Sequence, residues 1–115
     1  TGIDLANVTA LNEENVKLGG DISILRGKKK INNIFYAYYL SNCKKFDLAK
    51  YGQGSTIVHL YFSHFKKMNI HVPSLKEQQK IALFLSSIDK KIESTTAQLE
   101  QTKVFKKGLL QQMFV

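Results

Sequence analysis

A chain of 115 residues holds one small hydrophobic core and leaves little room for a second. Its 43% apolar and 23% charged residues exclude a collagen-like or disordered class, and no apolar run approaches the roughly 18 residues of a membrane span. Seventeen basic against nine acidic residues leave a net charge of +8 and a sequence pI near 9.6. Such a surface points to nucleic acid, because each phosphate neutralised releases counterions; the other reading is a basic surface with no dedicated partner. The opening Thr1-Gly2-Ile3-Asp4 has no signal-peptide pattern, and its lack of a starting Met suggests a fragment. The lone Cys43 excludes an internal disulfide and fits a reducing, cytoplasmic setting, with a packing role expected for the thiol.

Residues 1–30 are mixed and turn-rich. Asn12-Glu13-Glu14-Asn15 and Gly19-Gly20-Asp21 read as turns. Ile22-Ser23-Ile24-Leu25-Arg26 then alternates as a strand closed by Gly27, and Lys28-Lys29-Lys30 forms a basic turn. From Asn32 or Asn33, a candidate N-cap, the period becomes helical through Ile34, Phe35, Tyr38, Tyr39 and Cys43. At that spacing the aromatic cluster fits core packing better than base stacking.

Tyr51-Gly52-Gln53-Gly54-Ser55-Thr56 is a glycine-rich polar turn. Ile57-Val58-His59-Leu60-Tyr61-Phe62 and the segment 68–72 read as two further strands, the second ended by Pro73. Ser74-Leu75-Lys76-Glu77 matches a capping box and opens a long helix, with Ser86-Ser87 as a place for a bend. Ile81, Leu85, Ile88, Ile92, Leu99, Leu109 and Met113 fall on a heptad seam, interrupted by Thr95, Thr102 and Lys106. The stretch from Ser87 to Phe114 would run roughly 42 Å as a helix, too long to bury itself on one small domain. It calls for a partner.

Nothing in the chain supports catalysis. His59, His64 and His71 lie five and seven residues apart without a fourth ligand, so no zinc site is expected. Gly52-Gln53-Gly54 is too short for a phosphate-binding fingerprint, and Glu77 is accounted for by the cap.

Val72-Pro73-Ser74-Leu75-Lys76-Glu77-Gln78-Gln79-Lys80-Ile81-Ala82 strongly resembles a hallmark of type I restriction-modification specificity subunits. The runs Phe84 to Ile92 and Lys106 to Phe114 are similar to the same family, as are Phe35 to Leu40 and Gly52 to Thr56 within a target-recognition domain. The resemblance covers about residues 19–114. It implies two target-recognition domains per full subunit, each followed by a long helix, with the helices packed antiparallel and docking modification subunits. Each recognition domain reads one half of a bipartite DNA site. S-adenosylmethionine, ATP and Mg²⁺ would belong to partner subunits, so no cofactor is expected here. The chain departs from that plan in being about a quarter of a subunit, and its ending suggests the second repeat.

The expectation is therefore an α+β fold: residues 1–73 as part of a target-recognition domain of short strands and a helix, and residues 74–115 as a coiled-coil-type helix. Lys50, Gln53, Ser55 and Thr56 are candidates to contact DNA, with Lys28, Lys29 and Lys30 on phosphates. The glycine-rich turn is equally readable as a structural loop with Gly at positive φ, and the three lysines as a solvated turn. The expected function is DNA recognition and scaffolding for modification and restriction subunits, without enzymatic activity. The alternative is a helical assembly module, forming a homodimer or docking a subunit, that does not bind DNA by itself. A membrane-surface helix fits poorly, since the lysines do not gather on one face.

Overall fold

A computed structural model describes residues 7–114, apart from Asn12, Asp21 and residues 55–58. The helices in chain order are α1 (Asn33–Asn42), α2 (Lys45–Ala49), α3 (Phe62–Phe65) and α4 (Leu75–Met113). The chain divides into two compact units, Thr1–Ala82 and Leu83–Val115. The first two turns of α4 thus belong to the first unit.

Helix α1 starts where its cap dictates. The Asn32 side chain accepts a hydrogen bond from the Phe35 amide at 2.8 Å, satisfying one of the first-turn donors that have no partner within a helix. Helix α4 opens on the expected capping box. The Glu77 amide donates to Ser74 Oγ at 3.3 Å, and the Ser74 amide donates to Glu77 Oε2 at 3.0 Å. The helix shows no break at Ser86-Ser87. Ser87 Oγ donates to the Phe84 carbonyl at 2.7 Å, and Thr95 and Thr102 donate likewise to the carbonyls of Lys91 and Gln98. These hydroxyls bond to carbonyls of the preceding turn, so they coexist with the helix instead of interrupting it.

The α+β expectation is corrected, because the described residues contain no strand. Their one β pairing is an isolated antiparallel bridge between Gln53 and His59, with hydrogen bonds of 2.8 and 2.7 Å. Residues 22–26 alternate as a strand would, yet Ile22 and Ile24 are 57% and 58% exposed, with no ladder opposite them. A β-prone sequence becomes a strand only against a partner surface. In the segment 68–72 the backbone groups go elsewhere. The His71 amide donates to Tyr39 Oη at 3.2 Å, and Tyr36 Oη donates to the His71 carbonyl at 2.8 Å. Two tyrosines of α1 thereby take both His71 backbone groups a ladder would need. Of the strand expected over 57–62, residues 57 and 58 lie outside the described residues and Phe62 starts α3.

The core consists of two small clusters in the first unit. Phe35, Tyr36 and Ala82 form one, joined by Ile31 and Tyr39. Leu40, Leu48 and Phe65 form the other, joined by Val8, Tyr39, Tyr51, Leu60 and Met68. Tyr39 belongs to both, and its ring lies parallel to Phe35 (7°, 6.0 Å) and edge-on to Tyr36 (87°, 5.8 Å). Phe35, Tyr36 and Tyr39 of the aromatic cluster are therefore packed as core, as their helical spacing suggested, while Tyr38 belongs to neither cluster. Burial, followed by the neighbouring Tyr39, raises the pKa of the Tyr36 phenol and keeps it a donor to His71. Cys43, in contrast, caps the end of α1 in an exposed position, which corrects the packing role expected of it.

Candidate nucleic-acid interface

The basic turn at Lys28, Lys29 and Lys30 is exposed along its whole length. A Cβ at Gly27 would lie 2.6 Å from Ile31 Cγ2 and 2.9 Å from Asn33 Oδ1, so only glycine fits where the loop closes. Lys30 sits at φ 66°, the left-handed region, which is costly for a lysine and needs support from its surroundings. Gln78 of α4 provides it. This side chain is 0% exposed, donates from Nε2 to the carbonyls of Lys30 (3.0 Å) and Pro73 (2.8 Å), and accepts at Oε1 from the Asn32 amide (2.8 Å). One buried amide therefore ties the basic turn, the start of α1 and the start of α4 together.

The glycine-rich turn is closed by the Gln53–His59 bridge. Gly54 has φ 114°, so the structural reading of its glycine holds at that position. Gln53 is exposed. Ser55 and Thr56 lie outside the described residues. Beside the bridge, Tyr61 stands between two imidazoles, stacked on His59 at 5.8 Å and edge-on to His64 at 5.6 Å. Lys50 caps α2, and its ammonium is 3.2 Å from Asp47 Oδ1, while Lys44 reaches Oδ2 at 3.3 Å. Hydrogen bonds from Lys50 and then Lys44 hold the Asp47 carboxyl below its usual range. These groups line an open cleft, and the basic turn at 28–30 contributes no residue to it.

The expected seam residues all lie on α4. Ile81, in the first unit, is half out of solvent at 42% exposure, and Leu85 is half-buried. In the second unit Ile88, Ile92, Leu99, Leu109 and Met113 are exposed, as are Val104, Phe105 and Leu110. Among the described residues no group of His, Cys, Asp and Glu is placed to hold a metal ion, and no helix is long and apolar enough to cross a membrane.

The type I restriction modification DNA specificity domain family matches residues 6–103, most of the chain. The chain belongs to this family. Two relatives from Methanocaldococcus jannaschii are each 32% identical to it. The MjaVIII specificity subunit of a type I restriction enzyme aligns over 90 residues, and the putative MjaX specificity subunit over 91. The alignments cover 78% and 79% of this chain but only 21% of either relative, so the chain spans about a fifth of their length. No solved structure matches it.

Within this specificity domain, sequence reasoning missed Gln78 and the ion pairs around Asp47. A signal for Gln78 existed: it continues the helical spacing of Ala82 and Leu85 one turn earlier, so the apolar face of α4 begins with an amide. A polar residue on a buried face implies partners, and Asn32, Lys30 and Pro73 supply them. The ion pairs of Asp47 with Lys44 and Lys50 follow the i, i+3 spacing of a helix and so had a local signal, whereas Lys67 joins them only through the fold.

Proposed function

We propose that this specificity domain contributes to DNA sequence recognition in a type I restriction-modification complex and carries no catalytic chemistry itself. The observation that carries this reading is the family match over residues 6–103. Its physical support is a +8 chain whose basic turn is exposed and locked by Gln78. Lys28, Lys29 and Lys30 take phosphates, which positions the domain without reading sequence. Lys50 and Gln53, with Ser55 and Thr56, lie on or beside the turn that reads base edges, Gln being suited to a bidentate contact with adenine. Modification and restriction subunits perform methyl transfer and cleavage with their own S-adenosylmethionine, ATP and Mg²⁺. In the full subunit this domain reads one half of a bipartite site.

A second reading, an assembly module without DNA binding, is favoured by the exposed apolar side chains of α4 in the second unit. The two separate on duplex binding. Recognition makes affinity for duplex DNA measurable at low salt and steeply salt-dependent, with Gln53→Ala changing sequence preference more than general affinity. No binding at low salt supports the assembly module. Equal loss on all sequences in Gln53→Ala removes base reading from that residue.

A further inference from the structure

Lys44, Asp47, Lys50, Tyr51, Lys67, Met68 and Asn69 line an open cleft of about 460 Å³ in the first unit. We propose that this cleft is a second phosphate-binding site, which seats a backbone phosphodiester of the duplex next to the glycine-rich turn. The proposal rests on the DNA-recognition reading above and adds a site distinct from the basic turn at 28–30.

The lining decides the class of ligand. Three lysines face one aspartate, leaving a formal surplus of two positive charges, and Met68 with the Tyr51 ring is the main apolar wall. A cleft for an uncharged small molecule is lined mostly by apolar groups with a few polar ones. With five of its seven lining residues charged or amide-bearing, this cleft suits an anion with several acceptor oxygens, to which lysines and the Asn69 amide donate.

Two of the three cations are also paired before any ligand arrives. Asp47 bridges Lys44 and Lys50, and the Lys44 side chain is only 21% exposed. Lys50 follows α2 on a backbone fixed by turns, with the Tyr51 amide donating to Leu48 and the Gly52 amide to Ala49. Lys67 lies on the tight turn after α3, closed by the Met68 amide on the Phe65 carbonyl at 2.9 Å. The cleft's carboxylate, Asp47, engages two lysines, and among the described residues Lys67 has no ion pair.

Location selects a nucleic-acid phosphate over a free anion. Lys50 lines the cleft and lies three residues before Gln53, so a phosphate seated there places the neighbouring bases beside the turn proposed to read them. A cleft open to solvent accommodates a continuous polymer, whereas a free anion gains most from enclosure.

The test is the salt dependence of duplex binding by the full chain, using a short duplex of random sequence. A Lys50→Gln and Lys67→Gln double variant should lower the slope of log K against log salt by about 0.9 for each phosphate no longer neutralised. It should weaken binding to all sequences alike, with circular dichroism unchanged. A charge-matched control, Lys90→Gln with Lys91→Gln on α4, should keep the parent slope. Equal slopes for parent and cleft variant, or equal falls in cleft variant and control, overturn the cleft and leave the recognition reading standing. A parent chain that binds no duplex at low salt overturns both. Inorganic phosphate added at fixed ionic strength distinguishes the sources. Shifts of the Lys67 and Asn69 amides with phosphate, together with an unchanged duplex slope in the cleft variant, mark a small-anion site and overturn the proposal.

Discussion

Gln78 shows at the residue scale how a single side chain positions a surface it does not itself form. Its amide satisfies two carbonyls and one N–H of three separate segments while being 0% exposed. Gln78→Leu keeps the bulk and deletes all three bonds, leaving groups without partners in a place water reaches poorly. A buried group left unpaired costs about 1–3 kcal/mol, so the substitution should lower unfolding free energy by roughly 2–4 kcal/mol. The denaturation midpoint measures it, and a loss below a few tenths would show the amide to be replaceable. Glu77 makes a pH-dependent contribution. Its hydrogen bonds from Ser74, through hydroxyl and then backbone, hold the carboxyl below the ordinary glutamate range. A depressed folded pKa means the cap stabilises α4 above the unfolded-state value and is lost as pH falls through the folded one. The Ser74 amide resonance should therefore titrate with a midpoint below that of a free glutamate, and Glu77→Gln should abolish the titration. A midpoint at the free value would deny the coupling.

At the scale of elements, the longer helices α1 and α4 were legible in the sequence, whereas α2 and α3 were missed and the expected strands did not form among the described residues. Asn32 and the Ser74–Glu77 pair announce α1 and α4 because a cap is a local hydrogen bond between residues three apart. The strand expectations failed at 22–26 and 68–72 because a strand is defined by a distant partner, and alternation or β-branched composition says only that one would fit. Ser86-Ser87 misled for a related reason: whether a serine competes with a helix or bonds within it depends on its rotamer, and Ser87 bonds to Phe84. The seam of α4 makes its own prediction. Exposed Ile88 and Ile92 are suited to a partner helix, and a charge placed there would be stranded on association. Ile88→Asp should sharply reduce recovery of partner subunits in a pull-down, or of dimer by light scattering, with helix content retained. Undiminished assembly in that variant would remove Ile88 from the interface.

At the scale of the whole molecule, the residues themselves determined the charge, the two capped helices and the family, through motifs concentrated in residues 72–92. Each of these is a sum over residues or a relation between near neighbours, which the chain order preserves. Tertiary structure decided the rest. It replaced a sheet with tyrosine-to-backbone bonds at His71, set Lys30 in a left-handed turn held by a glutamine 48 residues away, and brought Lys67 to the cleft that Lys44, Asp47 and Lys50 line. Those arrangements depend on contacts between distant segments, and such contacts are settled by which packing satisfies buried polar groups, a condition that no local pattern encodes.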